Sequence, residues 1–120
     1  HSTNVSFAWQ DPFFGVAPFS LCHAMTELVT LGMSFAEIVK TVTSNAAALI
    51  GMSDVIGTLA PGRDADVTVI DRVAGAWELR DNSGERVTAR EAIVPRFVLR
   101  NGVRFAPDSP ILAKPARAAA

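Results

Sequence analysis

With 120 residues, 49% of them hydrophobic and 19% charged, the chain has the composition of a folded globular segment and not of a disordered tail. Eleven basic side chains against twelve acidic ones leave a net charge of −1, with no basic run longer than a dipeptide, which excludes an electrostatic footprint for nucleic acid. The lone Cys22 excludes an internal disulfide framework and a Cys-rich zinc site. Apolar stretches are interrupted well short of the ~18 residues of a membrane span and no signal peptide is visible, so no membrane partner and a cytoplasmic home are expected.

The first residues, His1-Ser2-Thr3, lack an initiator Met and pass at once into strand-like sequence, which reads as a start inside a longer polypeptide. Residues 1–8 carry β-branched and apolar side chains that fit the end of a strand. From Trp9 to Pro18 the aromatic, Pro and Gly content marks a loop with an apolar face. Ser20 then caps a helix running to about Leu31, with Leu21, Met25, Leu28 and Leu31 at spacings of three and four and Gly32 as the left-handed residue beyond its end.

Ser34-Phe35-Ala36-Glu37 has the spacing of a capping box, flanked by Met33 and Ile38 as a hydrophobic staple, and opens a second helix reaching about Thr43. A third, short helix is expected over Asn45 to Ile50, capped by Ser44 or Asn45 and closed by Gly51. Beyond Ile56 the period changes to two. Pro61-Gly62 forms a turn, Val67 to Ile70 a strand, and Trp77 to Arg80 pairs with Glu85 to Thr88 across a turn at residues 81–84. Phe97 to Arg100 meets Val103 to Phe105 across Asn101-Gly102, a type I′ signal. Residues 107–120, rich in Pro and Ala, read as a flexible tail.

Isolated polar residues along this path mostly have plain structural readings. His1 is a chain end, and His23 follows a helix cap, where a surface or capping role is favoured over metal binding. Cys22 adjoins His23 in sequence, but consecutive helical side chains point about 100° apart, so a buried structural thiol is favoured over a nucleophile. Asp64 and Asp66 form D-x-D without the further oxygen ligands of a calcium loop, and beside a Pro-Gly turn they read as turn and strand caps. Trp9 and Trp77 are expected in a core or interface.

The run Thr43-Ser44-Asn45-Ala46-Ala47, then Ile50-Gly51, then Ile56-Gly57-Thr58-Leu59-Ala60-Pro61-Gly62-Arg63-Asp64-Ala65-Asp66, continuing to Asp71, resembles the C-terminal stretch of the amidohydrolase superfamily. There, a short helix with a T-x-N-x-A pattern precedes an I-G-x-L-x-P-G-x-x-A-D run at the point where the chain leaves a barrel for a small β-sandwich. Phe19-Ser20-Leu21, Ala24-Met25, Leu31-Gly32-Met33 and Val94-Pro95-Arg96 to Val103 are similar to the deacetylase or dihydroorotase-like branch.

The resemblance implies a fold that is α+β as it stands. Residues 1–52 would supply the last strand, loop and terminal helices of a metal-dependent hydrolase's (β/α)₈ barrel, and residues 53–106 part of a composite β-sandwich, with 107–120 as the tail. A complete barrel needs about 250 residues, so the chain holds only part of one. The implied activity is hydrolysis of an amide or ester bond in a small molecule by water activated on a divalent metal, zinc by expectation in the parent enzyme. No metal is expected in this segment alone, since no H-x-H pair occurs in it.

Where the superfamily carries S-T-D on its final strand, this chain has Ser2-Thr3-Asn4. Asn4 would occupy the position of a carboxylate that binds metal and accepts a proton, and an amide is a weak neutral ligand and no base. Phe13, Phe14, Gly15 and Phe19 either line a substrate loop or pack that loop onto the barrel. The partner implied is the remainder of the same polypeptide, with self-association as a further expectation, and the segment alone is expected to be inactive. Two other readings compete. One is a non-catalytic α+β binding or assembly module derived from such an enzyme. The other is a helix-turn-helix regulator over residues 20–50, which fails because its second helix offers only Lys40 for phosphate contact.

Overall fold

A computed structural model describes residues 20–80 and 84–107, and gives three helices followed by three strands. Helix α1 spans Leu21–Thr30. Its N-cap Ser20 is extended, and the Ser20 hydroxyl accepts from the His23 N–H. At the other end the Gly32 N–H reaches the Val29 carbonyl and the Met33 N–H the Leu28 carbonyl, with Gly32 at φ 94°. Those two bonds form a Schellman motif, which needs a residue tolerant of positive φ at this point. Met25 and Thr26 are the buried positions of α1, whereas Leu21 and Leu31 are exposed, so the apolar stripe expected through all four leucine and methionine positions holds only in its middle.

Helix α2, Phe35–Val42, opens with the complete capping box between Ser34 and Glu37, and the staple residue Ile38 is fully buried. Helix α3 spans Ser44–Leu49. Its N-cap is Thr43, whose side chain makes no cap bond, so neither Ser44 nor Asn45 has the capping role expected from sequence. The Thr43 hydroxyl donates back to the Val39 carbonyl instead, at 2.6 Å, so α2 runs almost directly into α3.

The sheet has the order β1-β2-β3, antiparallel throughout, with β1 at Val67–Arg80, β2 at Arg86–Arg100 and β3 at Val103–Phe105. β1 and β2 are each one long strand where the sequence pattern suggested two short ones separated by a gap. Two bulges account for the difference. Arg96 is the extra residue on β2 between the pairs Val69–Phe97 and Ile70–Pro95, and Gly75 with Ala76 face a single β2 residue between Ala74–Glu91 and Trp77–Ala89. Each bulge shifts the side-chain phase by one, which breaks the alternation, and Gly75 and Pro95 look like strand breakers although they sit beside bulges where both are tolerated. The β2–β3 turn carries positive φ at Asn101 (49°) and Gly102 (78°), as a type I′ turn requires.

Two apolar clusters meet at β2. Met25, Ile38 and Ile93 form one, joined by half-buried Cys22, Leu28, Val29, Met33, Phe35, Val42 and Ile70 from the helices and β1. Trp77, Leu79, Ala89 and Ala92 form the other. Ala92 and Ile93 are adjacent, and adjacent strand residues point to opposite faces, so β2 is packed on both sides.

Candidate functional site

At the start of α1, Ser20 is committed to the helix cap and lies next in sequence to Phe19. His23 turns its Nε2 to within 3.3 Å of Glu27 Oε1, one helical turn on. Burial pushes the Cys22 thiol above its ordinary value, so it is protonated at neutral pH and a poor nucleophile or ligand. The surroundings of Cys22 support its structural reading, whereas the His23 side chain, 13% exposed, is not at the surface, and only its backbone N–H takes part in the Ser20 cap. Among the described residues no group of three or more His, Cys, Asp or Glu side chains could hold a metal ion.

Of the D-x-D pair, Asp66 caps a turn, but the distant β2–β3 turn and not the adjacent Pro61-Gly62 one. Asp66 Oδ1 accepts from the Asn101 N–H at 2.7 Å while the Gly102 N–H reaches the Ala65 carbonyl at 3.1 Å, so Ala65 and Asp66 together clamp the β2–β3 turn. Pro61-Gly62 makes its turn through the Arg63 N–H to the Ala60 carbonyl, with Gly62 at φ 89°. At the other end of the same motif, Gly57 lies against α3. A Cβ there would stand 2.7 Å from the Ala47 Cβ and 3.2 Å from the Ser44 Cα and the Thr43 carbonyl oxygen. The T-x-N-x-A and I-G patterns are thus the two halves of one close contact between a helix and the chain that leaves it.

Exposed charges on the sheet are largely paired across it. Arg72 forks onto Glu91 with bonds of 2.9 and 2.6 Å, and its guanidinium lies 5.2 Å from the Phe35 ring centre. That fork is the main cause that holds the Glu91 carboxyl below its ordinary value. Arg86 pairs with Glu78 at 3.0 Å, and Arg96, the bulged residue, with Asp71. Arg104 covers the Phe97 ring at 4.2 Å.

The residues that sequence reasoning nominated for chemistry, Asn4 and the loop residues Phe13, Phe14, Gly15 and Phe19, lie outside the described residues, as do His1, Trp9 and the tail from 108. Trp77 is in a core, as expected. One residue was passed over. Thr26, 2% exposed, accepts from the Ile93 N–H at 2.9 Å and donates to the Cys22 carbonyl at 2.8 Å. Its signal in the sequence was a polar residue directly beside the apolar position Met25 of an otherwise amphipathic helix.

Two observations show that this part of the molecule is not closed on itself. Leu49, Ile50, Met52, Val55 and Leu59 all stand exposed within α3 and the segment after it. The Trp77 Nε1 and Arg63 Nη1 atoms are buried with no hydrogen-bond partner among the described residues, a condition that native interiors rarely leave standing. No helix of the described residues is long and apolar enough to cross a membrane.

Residues 23–104 match the model of a family described as the amidohydrolase family. A deacetylase of Agrobacterium fabrum is 31% identical over 81 residues, 68% of this chain and 20% of that protein. A deacetylase of Brucella anthropi is 28% identical over the same shares. Among solved structures, an adenine deaminase matches with a TM-score of 0.67 and 27% identity over 81% of this chain and 25% of its own. A dihydroorotase matches with a TM-score of 0.58 and 26% identity over 71% of this chain and 23% of its own. The chain spans about a fifth of the length of these curated relatives and about a quarter of these solved chains.

Proposed function

Because the chain belongs to the amidohydrolase family, we propose that it is the C-terminal portion of a metal-dependent hydrolase that cleaves an amide or ester bond in a small molecule. Its part in that enzyme is to frame the site. Residues 1–52 complete a barrel, residues 53–106 form a segment of a β-sandwich, and residues 107–120 form a tail. The observation that carries this reading is the division of labour among the described side chains. Thr26, Ser34, Glu37 and Asp66 are spent on backbone groups and helix ends, while a run of large apolar side chains from Leu49 to Leu59 stands in solvent. A segment that carried its own chemistry would show the reverse, with polar groups converging on a cleft.

The described residues do not fit a metal site, so the divalent ion that activates water in such hydrolases is to be held by side chains of the remainder of the polypeptide. Asn4 is placed in this reading where the superfamily has an Asp, and Phe13, Phe14, Gly15 and Phe19 on a loop that contacts the substrate. The enzyme is cytoplasmic in this reading, and self-association is a further part of it.

The test compares this chain alone with the full polypeptide encoded by its reading frame, each loaded with zinc, on a panel of N-acetylated amino acids, dihydroorotate and adenine. Turnover is expected from the full polypeptide and none from the chain alone. Hydrolysis by the chain alone, or a full polypeptide that neither binds zinc nor turns over any member of the panel, would overturn the proposal. Asn4→Asp in the full polypeptide is expected to change metal content or turnover, and no change in either removes Asn4 from the site.

A further inference from the structure

We propose that Asn101-Gly102 is a site of spontaneous deamidation, kept latent by the contact of Ala65 and Asp66 with the β2–β3 turn and opened when that contact is lost. It is the single Asn-Gly pair of the sequence, and both residues are exposed. Glycine leaves its own backbone nitrogen unshielded, and the space around it is open: a Cβ at Gly102 would meet nothing within 4 Å. That nitrogen can attack the Asn101 Cγ. Its proton passes to a solvent base, the new N–Cγ bond closes a cyclic imide, and the bond from Cγ to the amide nitrogen breaks with loss of ammonia. Water then opens the imide at either carbonyl. Opening at Cγ leaves an ordinary aspartyl residue, and opening at the main-chain carbonyl leaves an isoaspartyl link in which the side-chain methylene becomes part of the backbone.

The folded turn opposes the first of these steps. A two-residue hairpin loop leaves its central N–H groups outside the ladder, which here joins Arg100 to Val103, Leu99 to Arg104 and Val98 to Phe105. Both groups are nevertheless held. The Gly102 N–H donates to the Ala65 carbonyl at 3.1 Å, so the attacking nitrogen is itself engaged. The Asn101 N–H donates to Asp66 Oδ1 at 2.7 Å, a bond strengthened by the carboxylate, and Asn101 stands at φ 49°. The imide ring demands a rotation about the Asn101 Cα–C bond that a type I′ turn does not use. With Asn101 fixed by Asp66, ring closure must carry the Gly102 N–H away from Ala65. Arg104 over the Phe97 ring, at 4.2 Å, adds to the hold on β3. The rate of deamidation therefore reports how often the segment at Ala65 and Asp66 leaves the turn, and an isoaspartyl link makes that loss permanent by lengthening the turn.

The test follows the full polypeptide in mildly alkaline buffer. The digested peptide that spans Asn101 is read by mass spectrometry, with isoaspartyl links labelled by an isoaspartyl-specific methyltransferase. The measurement needs no substrate, so it stands apart from the hydrolase reading. The parent is expected to deamidate more slowly than a free peptide of residues 97–105, by about tenfold or more. Asp66→Ala is expected to raise the parent rate about fivefold, the equivalent of one hydrogen bond, and Asp66→Asn, which keeps an acceptor oxygen, to stay near the parent. Ser34→Ala weakens the fold at a distant helix end and is expected to leave the rate unchanged. A parent as fast as the free peptide, an Asp66→Ala rate equal to that of the parent, or an equal acceleration by Ser34→Ala overturns the inference. If Asp66→Ala does not fold, the ratio of parent to free peptide decides.

Discussion

At Gly57 a methyl group would sit 2.7 Å from the Ala47 Cβ, on a residue whose φ of 90° already disfavours any side chain. Gly57→Ala in the full polypeptide is expected to lose about 2–4 kcal/mol, from overpacking added to backbone strain. Gly51 provides the control: its φ is 70° but nothing lies within 4 Å of the added carbon, so Gly51→Ala should lose only about 1 kcal/mol. Thermal midpoints of the two variants check the difference, and equal losses would show that strain alone is at work. Asp66→Ala removes the acceptor that holds the Asn101 N–H and is expected to lose about 1 kcal/mol, with Asp66→Asn recovering most of it. Two carboxylates set an acid limit. The Ser34 hydroxyl, then the Ser34 N–H, hold Glu37 below its usual 4.5, and the Arg72 fork does the same for Glu91. A lowered folded pKa means that the unfolded chain binds more protons, so each contribution is complete above the usual 4.5 and is lost as the pH falls through the lower folded value. The urea midpoint is expected to fall with acid only once the pH drops below about 4.5, and a Glu37→Gln/Glu91→Gln double variant to fall less steeply.

The helices show which elements the sequence states openly. α1 and α2 could be read because their ends are chemical: Ser20 and Ser34 present oxygens to the first-turn N–H groups, and Gly32 supplies positive φ where α1 stops. Ser34→Ala is accordingly expected to lose about 1 kcal/mol and to raise amide exchange in the first turn of α2 ahead of its last turn. α3 was placed correctly but its start was not, because Thr43 turned its hydroxyl to Val39 and left the cap empty. The long strands were the least legible. Alternation was visible from Val67 to Ile70 and from Trp77 to Arg80, but residues 71–76 lost it because the bulge at Gly75 and Ala76 advances the phase. Of the candidate chemistry, the structural role of Cys22 could be read from its place on a helix, and Asp66 could be read as a turn cap, though not as the cap of a turn 35 residues on. Thr26 could not, since its partner Ile93 lies 67 residues away and only the fold brings them together.

As a whole, the described molecule is a layer of helices on a three-stranded sheet, and it leaves large apolar side chains in solvent, Leu31, Leu49, Ile50 and Leu59 foremost. Prepared by itself, the chain is expected to bind a hydrophobic dye and to self-associate, and a monodisperse monomer with a cooperative thermal transition would defeat that expectation. The two bulges have a consequence for which conformations the hairpin can reach. One lies on each arm, so they cancel: Val67 faces Leu99 and Arg80 faces Arg86 in the same frame, and only the middle, Ile70 to Ala74 against Glu91 to Pro95, is displaced by one residue. A perfectly regular ladder with identical ends and an identical turn is therefore available to this sequence as a rival alignment. In it Ile93 would exchange faces relative to β1 and leave the helical cluster. Two features select against the rival: the Thr26 hydroxyl accepts the Ile93 N–H only in the displaced frame, and Pro95, with no N–H of its own, suits the neighbourhood of a bulge better than a continuous ladder. Removing both, as Thr26→Val with Pro95→Thr, is expected to bring the two alignments into coexistence, visible as doubled amide resonances confined to the displaced stretch, while a single set would show that the bulges are held by something else.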